Sequence, residues 1–82
     1  MPDFPFETEF VVGDETQVVL RSTNEASRFL RTRLRQLPDP RWEVVSHRFD
    51  VARTEQDAAE AANALRELLM SENLLRAERQ RG

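Results

Sequence analysis

His47 is the side chain of this sequence best suited to acid–base chemistry near neutral pH. Glu43 lies four residues before it and Asp50 three residues after it, so on a helix a carboxylate can orient the imidazole as a general base. The adjacent Ser46 would point elsewhere on that helix, and no other nucleophile is suggested. An ordinary surface ion pair accounts for the same spacing, and one imidazole with two carboxylates is weak support for a metal site. We therefore predict a non-enzymatic protein without catalytic residues, metal or cofactor.

The residue types that the chain lacks exclude several further classes of chemistry. Without cysteine there are no disulfides, thiolate nucleophiles or cysteine-based zinc sites. All 12 basic residues are arginines, which excludes Schiff-base chemistry and the lysine of a phosphate-binding loop. The two glycines, Gly13 and Gly82, are too few for a glycine-rich nucleotide loop.

The arginines of residues 23–37 form a candidate surface for binding an anion. This segment has four arginines and one glutamate, a net charge of +3 in a chain whose net charge is −3. Arg28, Arg31 and Arg35 would share one helix face, where guanidiniums suit phosphate or carboxylate groups. The functional interpretation is binding of nucleic acid, phosphate or an acidic protein surface. We favour a solvated helix face, because charged stripes are common on amphipathic helices and no aromatic residue is interleaved for base stacking.

Arg33 and Arg48 differ from the other arginines because each falls within the predicted apolar arc of its helix. A guanidinium in that position has to reach water or find a partner. Pairing with an acid of the same chain is the simpler interpretation. The alternative is that another subunit completes these helix faces.

A second candidate surface is apolar and begins before the first strand. Phe4 and Phe6 flank Pro5, which together with Pro2 favours an extended arm over residues 1–5. A two-stranded hairpin leaves two open edges and buries little by itself. A stripe of small residues that another backbone could approach closely comprises Ala58, Ala61 and Ala62. These features predict a partner-binding surface, the alternative being that both phenylalanines fold back over the core and the alanines pack on the first helix.

The elements that position these residues begin with a β-hairpin over 6–21. Apolar and polar residues alternate in both of its arms, and residues 13–15 supply the turn. A capping box then starts a helix, because the Ser22 hydroxyl can accept from the backbone N–H of Glu25 while that glutamate reaches back. The helix should extend to about Leu37, where a proline follows.

Residues 40–52 are ambiguous between a strand and a helix. Their β-branched and aromatic residues favour a strand by propensity alone. The spacing of Trp42 and Phe49 favours a helix, and Asp39 followed by Pro40 is a typical helix start. We favour the helix and keep the strand as the alternative.

The last predicted helix starts at Thr54, which together with Asp57 repeats the same type of cap. A break or bend is expected near residue 71, because the apolar stripe ends there and polar residues follow. Residues 76–82 are polar and have no apolar face, so we predict a frayed tail.

Parts of the chain resemble a family of short bacterial proteins of unknown function. Residues 11–13 (VVG) and 19–30 (VLRSTNEASRFL) are similar to its strand pair and its helix beginning S-x-x-E-A-x-x-F-L, and residues 54–65 (TEQDAAEAANAL) to its last, alanine-rich helix. The sequence departs from the family at Leu37, where the family tends to have Trp before Pro, and at Arg53, where it tends to have Gly. The resemblance implies a strand pair followed by helices, and it implies no activity, cofactor or catalytic residue.

We therefore predict one small α+β domain over 1–82, with an N-terminal β-hairpin packed on two or three helices. The predicted core is apolar and comprises Phe10, Val12, Val18, Leu20, Phe29, Leu30, Leu34, Trp42, Val45, Phe49, Leu65, Leu68 and Leu69. No apolar run approaches the ~18 residues that cross a bilayer, and the first residues lack the features of a signal peptide, which predicts a cytoplasmic protein that does not bind membranes.

The predicted function is a non-enzymatic protein–protein interaction or regulatory module that self-associates as a homodimer. A domain of this size has a marginal core, and dimerisation adds stability to such domains. Binding of nucleic acid or phosphate by the first helix is the alternative function. The candidate partner-binding residues are Phe4, Phe6, Arg28, Arg31 and Arg35.

Overall fold

The structure is a computed structural model that describes residues 3–13 and 16–80. Three helices pack on one face of a three-stranded antiparallel sheet, which confirms the predicted α+β fold. The elements in chain order are β1 (Pro5–Val12), β2 (Val18–Ser22), α1 (Thr23–Gln36), α2 (Pro40–Asp50), α3 (Glu55–Ser71) and β3 (Leu75–Gln80).

The predicted hairpin is confirmed and forms two strands of the sheet. β1 and β2 pair antiparallel, with Phe10 opposite Leu20. The turn requires glycine at Gly13, whose φ is +120° and where a Cβ atom would lie 2.3 Å from the carbonyl oxygen of Thr16. Alternation along β1 then directs one set of side chains to the helices and the other set to the outer face of the sheet.

Each helix begins at the cap that its sequence predicts. The Ser22 hydroxyl accepts from the Glu25 N–H at 3.4 Å, and the Glu25 carboxylate accepts from the N–H of Arg21 at 2.9 Å, one residue earlier than a capping box would place it. Asp39 accepts from the Arg41 N–H at 2.9 Å with proline next to it, which settles residues 40–50 as a helix.

The last helix begins and ends where the sequence predicts. The Thr54 hydroxyl accepts from the N–H of Asp57 at 3.1 Å and caps the first turn. The predicted break near residue 71 is confirmed, because α3 ends at Ser71 and Asn73 adopts a left-handed conformation with φ of +58°. The chain then returns toward the sheet.

The predicted frayed tail is wrong for residues 76–80, which lie in β3. This strand pairs with β1 from Thr8 opposite Gln80 to Val12 opposite Leu75, so the sheet order is β2-β1-β3. An edge strand is held by its backbone and does not need an apolar face, which is why the polar sequence misleads. Its start is also fixed to the hairpin turn, since the Gly13 N–H donates to the Leu74 carbonyl at 3.0 Å. Residues 81 and 82 of the predicted tail lie outside the described residues.

The core lies between the sheet and the helices and agrees with most of the predicted set. The buried members of that set are Phe10, Val12, Leu20, Leu30, Trp42, Val45, Phe49, Leu65, Leu68 and Leu69. Phe29 and Leu34 are only partly buried, and the prediction is wrong for Val18, which is 42% exposed at the outer edge of β2. The sequence prediction also missed buried Phe6 and the small residues Ala26 and Ala61.

Candidate binding groove

A groove of about 500 Å³ lies between the first half of β1 and the first half of α3. We call it the alanine groove. Residues 4–8 and Phe10 line its strand side, and α3 lines the opposite side. The alanines and one asparagine of that helical wall are Ala58, Ala59, Ala62 and Asn63. The strand wall thus contains the N-terminal phenylalanines, and the helical wall contains part of the alanine stripe, two candidates that the sequence presented separately.

The strand wall is held in place by hydrogen bonds to the start of α1. The N–H of Phe4 donates to the Thr23 hydroxyl at 3.0 Å, and the Phe4 carbonyl accepts from the Thr23 N–H at 3.0 Å. The Asp3 carboxylate accepts from the N–H of Asn24 at 3.1 Å and from the Thr23 hydroxyl at 3.2 Å. The predicted extended arm over 1–5 is therefore wrong for residues 3–5, which are bound to the domain, while residues 1 and 2 lie outside the described residues.

The surroundings of the Asp3 carboxylate favour its charged form. Partial burial raises the pKa of Asp3, but hydrogen bonds from the Asn24 N–H and from two nearby hydroxyl groups have the larger combined effect. The pKa of Asp3 therefore lies below its ordinary value. The charged form is the one that ties the N-terminal segment to α1.

The floor of the alanine groove is aromatic and belongs to the core. Phe6 is 5% exposed, and its ring centroid lies 5.7 Å from that of Phe10 and 6.1 Å from that of Phe49. Of the two alternatives for the N-terminal phenylalanines, the structure shows folding back over the core for Phe6. Phe4 is half-buried and lies at the side of the groove.

The helical wall is smooth because its side chains are small. Ala58 and Ala62 are buried at 4% and 9% exposure, whereas Ala59 is exposed. Ala61 turns away from the groove and joins the core. Of the alternatives for the alanines, packing mainly on the first helix is not observed, because the principal packing partners of α3 are α2 and the sheet.

Charged residues at the rim were not identified from the sequence. Glu7 of β1 and Glu55 of α3 line the groove, and neither forms a hydrogen bond or ion pair within the described part of the chain. Arg66 and Glu78 do form an ion pair, which joins α3 to β3 and raises the pKa of the arginine. The rim thus carries two unpaired negative charges, contributed by elements far apart in the sequence.

The predicted arginine face lies on α1, away from the alanine groove. Arg28, Arg31 and Arg35 are all exposed, as expected for one outward stripe. Arg31 donates to the Asp50 carboxylate at 3.3 Å. Arg28 and Arg35 form no ion pair with any residue that the structure describes. Because α1 packs on β2 and α2, the structure does not bring these arginines together with the phenylalanines of the groove.

The His47 imidazole is held by neither of its neighbouring carboxylates, Glu43 and Asp50. Its side chain is exposed on α2 and forms no hydrogen bond with the described residues. The nearby Asp50 carboxylate instead accepts from Arg31 and, at 3.4 Å, from the Ser27 hydroxyl. Among residues 3–13 and 16–80, no cluster of three or more histidine or acidic side chains could hold a metal ion.

The two arginines predicted within apolar arcs differ from each other. The Arg33 guanidinium lies 4.6 Å from the ring centroid of Trp42, and its buried Nε has no hydrogen-bond partner within the described structure. It therefore lies against an aromatic ring and forms no ion pair with an acid of the described residues. The prediction is wrong for Arg48, which is exposed on the outward face of α2 near the exposed Val44 and Val51.

No helix formed by residues 3–13 and 16–80 combines the length and the apolar character needed to span a bilayer. Comparison of the chain with protein families, with curated proteins and with solved structures finds no match. The resemblance to a family of short bacterial proteins therefore stays a prediction.

Proposed function

We propose that the protein is a non-enzymatic protein–protein interaction module and that the alanine groove is its contact surface. The supporting observation is that features identified separately in the sequence lie together at one groove. The N-terminal phenylalanines, the hairpin strand β1 and the alanine stripe were separate candidates in the sequence, and the first two and two members of the stripe, Ala58 and Ala62, border this one groove. Apolar floors with polar rims are the usual composition of protein interaction sites.

The strand wall also has backbone that β3 does not pair. Over the described residues, β3 pairs with β1 only from Thr8 to Val12, and residues 81 and 82, which follow β3, lie outside the described part of the chain. Residues 5–7 of β1, which line the groove, would bind a partner through backbone hydrogen bonds and through side-chain burial together. The small residues on α3 leave room for such an approach.

Site-directed photo-cross-linking in the source cells tests the proposal. We expect p-benzoylphenylalanine at Ala59, on the wall of the groove, to form discrete adducts with a partner protein. The matched control is Ala77, which is also exposed but lies in β3 opposite Val11 and does not line the groove. Absence of adducts at both positions, or the same adducts at both, would contradict the proposal.

A second candidate function is binding of phosphate or nucleic acid by α1. It is favoured by the two exposed guanidiniums of Arg28 and Arg35, which have no partner among the described residues. Two observations weigh against it. Arg31 is already bound to Asp50, and the net charge of −3 opposes attraction of nucleic acid at long range.

A further inference from the structure

We infer that the partner held by the alanine groove is a second copy of this chain, bound through the arginine face of α1. This inference rests on the proposed function and specifies the occupant of the same groove. It joins the two unpaired carboxylates of one copy to the two unpaired guanidiniums of another. The contact is intermolecular because groove and arginine face belong to different parts of the fold.

The first argument is charge complementarity. Glu7 and Glu55 contribute negative charge from the strand side and the helix side of the groove. The other charged residues of its lining, Arg66 and Glu78, neutralise each other in an ion pair. The groove is therefore net acidic, and an occupant with exposed cations is favoured over an acidic one.

The second argument is the arrangement of the cations on α1. Arg28 and Arg35 are seven residues apart, so they lie two helical turns and about 10 Å apart on one face. Among the described helices, this is the only face with two guanidiniums that lack an ion pair. At low salt, both guanidiniums attract an acidic surface.

The third argument concerns the apolar part of the groove. Arginine side chains combine an apolar stem with a planar, weakly hydrated guanidinium, which suits a phenylalanine and alanine surface bordered by carboxylates. Because the two surfaces differ, the contact is heterologous. It either closes reciprocally as a dimer or continues as a chain of copies, and both forms depend on protein concentration and on salt.

Sedimentation equilibrium of the full chain at low and high salt tests the inference. We expect self-association at low salt that weakens as salt is raised. Reversing the groove charges (Glu7→Arg with Glu55→Arg), or reversing the helix charges (Arg28→Glu with Arg35→Glu), should each weaken association at least about tenfold, because two attractions become repulsions. An equimolar mixture of the two double variants should associate again, since each then supplies a surface complementary to the other.

Matched controls separate this pairing from a general effect of net charge. Glu43 and Glu60 are exposed and unpaired among the described residues, and so are the guanidiniums of Arg48 and Arg53. Reversing the two glutamates together, or the two arginines together, should leave association within about threefold of the wild type. Circular dichroism and Trp42 fluorescence verify that every variant is folded.

Three outcomes would overturn the inference. These are a monomeric wild type at all concentrations in low salt, controls that dissociate as the test variants do, and a mixture that fails to associate. Cross-linking from Ala59 shows whether only the second copy, or the proposed interaction surface as a whole, is excluded. Adducts with a different protein retain the function and exclude the second copy, whereas absence of any adduct removes both.

Discussion

Truncation of Phe6 distinguishes a residue of the core from a residue of a detachable arm. Phe6→Ala removes a ring that is 5% exposed and that contacts the rings of Phe10 and Phe49. A buried phenylalanine replaced by alanine typically costs about 3–5 kcal/mol. Each ring pair adds about 0.5–1.5 kcal/mol beyond area burial, which is part of that total. Since a chain of 82 residues has a free energy of unfolding of about 4–12 kcal/mol, we expect a large fraction to be lost.

Phe4→Ala is the matched control, because it removes the same side chain two residues earlier. Phe4 is half-buried, and its backbone hydrogen bonds to Thr23 do not depend on the ring. Complete burial of a phenylalanine side chain contributes about 1.5–3 kcal/mol, so its partial exposure predicts a loss of about 1 kcal/mol. The ratio of the two losses is therefore the informative quantity.

Urea unfolding followed by fluorescence measures both losses. Trp42 is the single tryptophan and is 2% exposed, so its emission reports loss of the core. With a urea m-value of about 1–3 kcal/mol/M, the Phe6→Ala midpoint should fall by about 1–5 M or the variant should be unfolded in water. A loss below about 1 kcal/mol for Phe6→Ala, or equal losses for both variants, would refute the placement of Phe6 in the core.

Three further predictions concern single charged residues. The pKa of Asp3 is lower in the folded protein than in the unfolded chain, where it is about 3.9. The Asp3 carboxylate therefore stabilises the fold above that pH, and this stabilisation is lost as pH falls through the folded pKa. The difference in urea midpoint between the wild type and Asp3→Asn should accordingly persist above pH 4 and shrink below it. Arg33→Ala should lower the free energy of unfolding by about 0.5–2 kcal/mol and shift the Trp42 emission to longer wavelength. The control Arg35→Ala should change the free energy of unfolding by less than about 0.5 kcal/mol. Equal effects of the two variants would show that the contact between the Arg33 guanidinium and Trp42 adds no specific stability. If α1 binds phosphate, labelled single-stranded DNA should bind at low salt and Arg28→Ala should make the salt dependence shallower by about one unit; no binding at low salt removes that candidate function.

The sequence by itself determines the helices, because their signals are local. A cap needs one side-chain oxygen and a backbone N–H two or three residues away, as at Ser22 and Thr54, so no distant segment is involved. The same holds for the Asp39 start, which predicted a helix over a segment rich in strand-forming residues. The hairpin is local as well, since its turn depends on the conformational freedom of Gly13.

The candidate site was predicted only in its separate parts. The phenylalanines and the alanine stripe carry a visible apolar signal, and the sequence analysis identified both. Their meeting in one groove, and the presence of Glu7 and Glu55 at its rim, depend on how α3 lies over β1. Exposed glutamates on two different elements follow no spacing rule, because their separation along the chain says nothing about their separation in space.

Tertiary structure alone decides the third strand, the N-terminal clamp and the environment of Arg33. β3 forms because β1 presents unpaired backbone and the turn at Asn73 directs the chain back along it, and backbone pairing leaves no trace in a polar sequence. Asp3 reaches the start of α1 only after the hairpin has reversed the chain. Arg33 finds an aromatic ring because α2 packs beside α1. Each of these contacts joins two different elements of secondary structure, and the free energy that selects them comes from burying the shared core.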